Sequence, residues 1–91
     1  MSEESKQELE DEQVHVAQVM DLLMRFLVDD PDQVELSRTS GRQTTVLEVK
    51  VGKTDHGKIV GRRGRTADAI RNLLKCMGGK SNHRFLLEIL E

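Results

Sequence analysis

The segment Gly57-Lys58-Ile59-Val60-Gly61-Arg62-Arg63-Gly64-Arg65-Thr66 most restricts the folds open to this chain. Two glycines bracket two arginines, an aliphatic pair stands before them, and a helical pattern begins at once after them. Gly61 and Gly64 permit a sharp turn and a close approach to the backbone, because neither carries a Cβ. The turn delivers Arg62, Arg63 and Arg65 to the N-terminal end of the next helix. That end carries partial positive charge and unpaired N–H groups, so cations there are unfavourable on their own. An anion reverses the balance, since N–H groups, dipole and guanidinium donors all stabilise a phosphate. The segment predicts a junction between two helices that is built to meet phosphate.

The rest of the chain leaves little space for anything larger. Its 91 residues predict one small domain, and a domain of this size has no room for a large enclosed active site. Phe26 and Phe85 are the only residues of the Phe, Tyr and Trp class, so the core is expected to be aliphatic. The net charge of −2 argues against nucleic acid, but its distribution argues the other way. Residues 1–52 hold five basic and twelve acidic groups, a balance of −7, whereas residues 53–84 hold nine basic and two acidic groups, a balance of +7. An acidic protein can thus present a basic face, and the local field decides what binds there. Cys76 is the lone cysteine, which excludes an intramolecular disulfide and a cysteine-paired metal site and fits a reducing compartment. The chain shows neither a secretory signal nor a long apolar run, so no membrane association is expected.

Residues 1–13 carry six acidic groups against Lys6 and read as a disordered acidic tail or a fraying helix start. A sharper alternative is a tail that shields the basic face. The folded domain is expected over 14–91. A helix is predicted from Val14 to Val28, with Val16, Met20, Leu23 and Leu27 as its stripe and Val19 and Phe26 widening it. Asp29-Asp30-Pro31 ends it. Alternation predicts strands over 33–39 and 44–51, joined by the turn Ser40-Gly41-Arg42. Asp55 suits the N-cap of a short helix through Val60. A longer helix is expected from Thr66 to Met77, its stripe Ala67, Ile70, Leu74 and Met77 joined by Leu73, with Gly78-Gly79 as its stop. Cys76 on that helix reads as half-buried packing. Phe85, Leu87 and Ile89 share one face of a third strand over 84–90. The order α-β-β-α-α-β predicts an α+β domain of two layers, a three-stranded sheet with helices on one face.

Residue by residue, the glycine segment resembles the core motif of a KH domain. The aliphatic pair is Ile59-Val60, the Gly-x-x-Gly is Gly61-Arg62-Arg63-Gly64, and the apolar position three residues on is Ala67, where many KH domains carry a bulkier aliphatic. The element order resembles the type II KH arrangement from about Val14 to the chain end. The small size and the run Gly64-Arg65-Thr66-Ala67 resemble the small bacterial single-KH RNA-binding proteins, the KhpA-like family. The resemblance implies that the loop clamps the backbone of about four nucleotides of single-stranded RNA. It also implies pairing, as a homodimer or with another KH-containing protein, and work in the cytoplasm as an RNA chaperone or post-transcriptional regulator.

The residues support that chemistry on their own terms. Arg62 and Arg63 suit bidentate phosphate contact, Arg65 and Thr66 add donors, and Lys58 and Lys53 extend the basic edge. Ile59, Val60 and Ile70 are candidates for an aliphatic floor under bases, or in part for the core. No aromatic residue adjoins the motif, so phosphate contacts are expected to dominate and sequence preference to be weak. No catalytic residue, cofactor or metal is expected. Gly52-Lys53-Thr54 and Gly79-Lys80-Ser81 imitate the end of a P-loop but have Leu47 and Leu74 where its first glycine belongs. His15, His56 and His83 show no ligand spacing. An enzyme acting on phosphate compounds is disfavoured, because no acid–base pair adjoins the loop. The alternative to RNA binding is a protein-interaction adaptor with a vestigial groove, using its amphipathic first helix as the partner surface.

Overall fold

The computed structural model describes residues 2–91; Met1 of the expected tail lies outside the described residues. In chain order the elements are α1 (Glu3–Leu27), a 3-10 turn (Pro31–Gln33), β1 (Glu35–Ser40), β2 (Thr44–Lys50), α2 (His56–Val60), a second 3-10 turn (Arg62–Gly64), α3 (Arg65–Gly79) and β3 (Arg84–Ile89). The sheet order is β1-β2-β3. β1 pairs antiparallel with β2, with Leu36 opposite Val49 and Arg38 opposite Leu47. β3 pairs parallel with β2, with Leu47 beside Leu87. A parallel neighbour needs a crossover connection, and here α2, the glycine loop and α3 supply it. The type II KH order predicted above is therefore the observed one, and the crossover is the segment that carries the arginines.

Strand alternation works as expected. Thr45, Leu47 and Val49 of β2 and Phe85 and Leu87 of β3 turn inward. Val16, Met20, Met24 and Val28 meet them from the α1 side, and Ala67, Ile70 and Leu74 from α3. With Phe85 the one phenyl ring in the core, the unbranched Met20 and Met24, both fully buried, fill the irregular space.

Four boundaries and faces depart from the sequence reading. First, α1 starts at Glu3, not Val14, so residues 3–13 form its first turns. Glu3 and Glu4 suit the positive end of the helix dipole, and Gln7 Nε2 donates to Asp11 Oδ1 at 3.0 Å one turn on. Gln13 is buried and accepts from Ser40 Oγ at 2.7 Å, while Glu12 Oε1 accepts from Ser81 Oγ at 2.7 Å. Second, α1 is rotated relative to the expected stripe. Leu23 and Leu27 are half-buried, and Val19, Leu22 and Phe26 point outward, Phe26 at 80% exposure. Apolar residues cover so much of this helix that periodicity does not select a face; the sheet does. Third, β1 begins at Glu35, because Pro31–Gln33 winds into a 3-10 turn held by Arg25, whose Nη1 donates to the Pro31 carbonyl at 2.7 Å.

Fourth, α3 runs through Gly79 and includes the glycines expected to end it. A Cβ on Gly78 would collide with the His83 carbonyl oxygen. This glycine lets the last turn close against the start of β3. On the same helix Leu73 is exposed rather than part of the stripe, and Cys76 is exposed rather than packed. Behind that closure His83 is buried, with Nε2 2.7 Å from Thr45 Oγ1 and its ring edge-on to Phe85 at 5.1 Å. No helix among the described residues is long and apolar enough to cross a membrane.

Candidate nucleic-acid interface

The glycine loop is held in a conformation that few residues adopt. Gly61 has φ 78° and ψ 171°, and a Cβ there would collide with the Thr66 side chain and backbone nitrogen. Thr66 is half-buried beneath it. Arg63 at φ 57° and Gly64 at φ 75° are both left-handed. An arginine in that region costs on the order of 1 kcal/mol or more, so the loop stores some strain to hold its tip. The turn closes with the Gly61 N–H donating to the Gly57 carbonyl at 2.7 Å and the Gly64 N–H to the Gly61 carbonyl at 3.1 Å.

Gly64 is the N-cap of α3 and supplies no side-chain cap. Arg62, Arg63 and Arg65 are exposed at this end. None of them has a carboxylate partner among the described residues. The acid of the first turn, Asp68, faces Arg71 at 3.6 Å. Three unpaired guanidinium groups and an uncapped helix N-terminus therefore share one surface. Such an arrangement suits an anion.

Lys58 is positioned differently from the arginines. Its Nζ lies 2.5 Å from Asp29 Oδ2, just past the C-terminus of α1. The hydrogen bond to Asp29 raises the Lys58 pKa; partial desolvation opposes this, and the charges of Asp29 and Asp55 add to it. Asp55 fixes the pair. It stands at the N-cap of α2, but its carboxylate makes no cap. Instead Oδ1 accepts from the Asp29 N–H at 3.1 Å and Oδ2 from the Asp30 N–H at 3.0 Å. At 1% exposure it is a buried staple between the end of α1 and the start of the α2–loop unit. Sequence reasoning missed this role, because an Asp before a short helix has the same local signature as a cap.

Of the other expected site residues, Ile59 and Ile70 are core residues at 0% and 3% exposure and offer no floor for a base. Both belong to the hydrophobic core: Ile70 lies on the buried face of α3 with Ala67 and Leu74, and Ile59 is the buried residue of α2. Val60 is half-buried and Lys53 exposed in the turn after β2. The structure adds a groove of about 360 Å³ along the open edge of β3, lined by Arg71, Lys75, Arg84, Phe85, Leu86 and Leu87. Among the described residues no group of three or more His, Cys, Asp or Glu is gathered to hold a metal ion. The acidic first turns of α1 reach the opposite end of the domain, where Glu12 meets Ser81 beyond the C-terminus of α3. They do not cover the loop.

Comparison with known proteins agrees with this geometry. A sequence profile described as "KhpA/KhpB, KH domain" matches residues 17–89. The RNA-binding protein KhpA of Borreliella burgdorferi is 45% identical over 74 residues, which covers 81% of this chain and 90% of that protein. The RNA-binding protein KhpA of Clostridium acetobutylicum is 41% identical over 73 residues, 80% of this chain and 97% of that protein. That of Aquifex aeolicus is 38% identical over 73 residues, 80% of this chain and 92% of that protein. No solved structure matches the chain.

Proposed function

The chain belongs to the KhpA/KhpB family of KH domains, and on that premise we propose that it binds single-stranded RNA through its 61–64 loop. The observation that carries this reading is the uncapped N-terminus of α3 with Arg62, Arg63 and Arg65 exposed and unpaired around it. Guanidinium forks and free N–H groups take successive phosphates, and Gly61 and Gly64 keep side-chain bulk out of the way. Phe85 is buried and Phe26 lies on α1, so ring stacking adds nothing at the loop. Affinity is modest, salt-dependent and weakly selective for sequence. The protein works without catalysis, as an RNA chaperone or post-transcriptional regulator in the cytoplasm.

One loop holds few nucleotides, so a second module raises the effective concentration of binding sites. The exposed Val19, Leu22 and Phe26 of α1 and Leu73 of α3 favour pairing with a second copy or another KH-containing protein. The same surface would serve a protein-interaction adaptor, but an adaptor has no use for three unpaired arginines at a helix N-terminus.

The test is fluorescence anisotropy of a short single-stranded RNA across a salt series, comparing wild type with Arg62→Asp/Arg63→Asp. Three neutralised phosphates give a log–log slope of about −2 in single strands. The double variant should lose most of the binding while circular dichroism stays unchanged. Equal binding by both proteins, or a flat salt response, would remove the loop from the function.

A further inference from the structure

Four cations stand at or next to the loop, and one is treated unlike the rest. Arg62, Arg63 and Arg65 are unpaired, whereas Lys58 is neutralised by Asp29 at 2.5 Å. Asp29 does not reach Lys58 from a free loop. Its own N–H and that of Asp30 are gripped by the buried Asp55 carboxylate, so the backbone that carries Asp29 is fixed beside α2. Lys58 also faces the C-terminal end of α1, which carries partial negative charge. The staple contributes nothing to phosphate binding, yet it holds an acid where it cancels a cation one helical turn before Gly61.

We propose that Asp29 is an affinity-limiting counter-ion: held by Asp55, it keeps Lys58 out of the phosphate contacts and leaves the three arginines to set RNA affinity. This rests on the RNA-binding reading above. Weak binding is thereby built into the fold, which suits a protein that must release one RNA to meet another. The raised pKa of Lys58 keeps the ammonium charged at neutral pH, so the pairing does not switch off by titration there.

The test uses the full chain and a fluorescein-labelled oligouridylate, with affinity measured across a salt series. Asp29→Asn removes the charge and keeps the backbone N–H that Asp55 holds, so the fold survives, which a thermal melt verifies. Freed Lys58 should raise affinity at low salt by about two- to five-fold, the scale of an exposed ion pair. It should also steepen the salt slope by about 0.7, one further phosphate. Lys58→Met alone should leave the wild-type slope unchanged, and Lys58→Met placed on Asp29→Asn should cancel the gain. Three results would overturn the inference: Asp29→Asn binding like wild type, Lys58→Met alone reducing the wild-type slope, or Asp30→Asn giving the same gain as Asp29→Asn. If wild type fails to bind the probe at any salt, the RNA-binding reading itself falls and the inference with it.

Discussion

Asp55 gives the sharpest test of how this fold is held together, because two roles for it predict different numbers. As an N-cap of α2 it would be replaceable: Asn is as good a cap as Asp, and Asp→Ala costs about 1 kcal/mol. The observed role is a buried carboxylate that accepts one N–H on each oxygen, from Asp29 at 3.1 Å and Asp30 at 3.0 Å. Hydrogen bonds to a charged group contribute about 1.5–3 kcal/mol each, so the two gross about 3–6 kcal/mol. The carboxylate's own desolvation cost offsets part of this. Asp55→Ala should therefore destabilise by about 2–4 kcal/mol, lowering the melting midpoint by roughly 10–20 °C. Against a total of about 5–14 kcal/mol for a chain of this length, that is a large fraction. Asp55→Asn separates the two roles. It keeps one acceptor but turns an amide NH2 toward the second N–H, at a cost of about 1.5–3 kcal/mol. Urea denaturation followed by circular dichroism reads both variants, with an unchanged m-value confirming that only stability moved. An Asp55→Asn loss of a few tenths of a kcal/mol would refute the staple and restore the cap.

Gly61→Ala should cost about 2–3 kcal/mol, since alanine is strained at φ 78° and its Cβ meets Thr66; a thermal melt and the anisotropy assay should both record the loss, whereas Gly57→Ala, with open space around it, should be nearly silent. Phe26→Ser, at a residue 80% exposed, should leave the melting midpoint within a few degrees of wild type while lowering any self-association seen by sedimentation velocity; an unchanged oligomer would move the pairing surface elsewhere. The Lys58 pKa is raised by the hydrogen bond to Asp29, against opposing desolvation. The stabilisation from that pair is thus fully present below the unfolded lysine value of about 10.4 and is lost as pH rises through the higher folded value. The stability gap between wild type and Lys58→Met should be flat from about pH 6 to 9 and close only in the alkaline range; a gap that changes near neutrality would point to another group.

The parts of this molecule legible in its sequence are those governed by local rules. Alternation marked β2 and β3, and the run from Ile59 to Ala67 marked the turn between two helices, with Gly61 and Gly64 at its ends. What local rules missed depends on partners far away in the chain. The expected cap at Asp55 is a staple because its donors lie 26 and 25 residues earlier. Ile70 is buried on the stripe its helical spacing marks, whereas Ile59, in a helix of five residues, has too short a pattern to show that it enters the core. Phe26 was assigned inward because it extended an apolar stripe, yet Met24 took the core position. Charge shows the same division most clearly. The overall −2 says little about binding, since residues 1–52 carry −7 and residues 53–84 carry +7. Glu12 meets Ser81 just past the far end of α3, a helix of 15 residues and so about 22 Å from the loop. That is more than twice the screening length of about 8–10 Å at moderate salt. The acid brought beside Lys58, one turn before the loop, is not one of the six of the first turns but Asp29, whose backbone the Asp55 carboxylate holds. Local charge balance at the loop is therefore a property of the fold, and a change at Asp29 should matter more for binding than the removal of several glutamates from the start of α1.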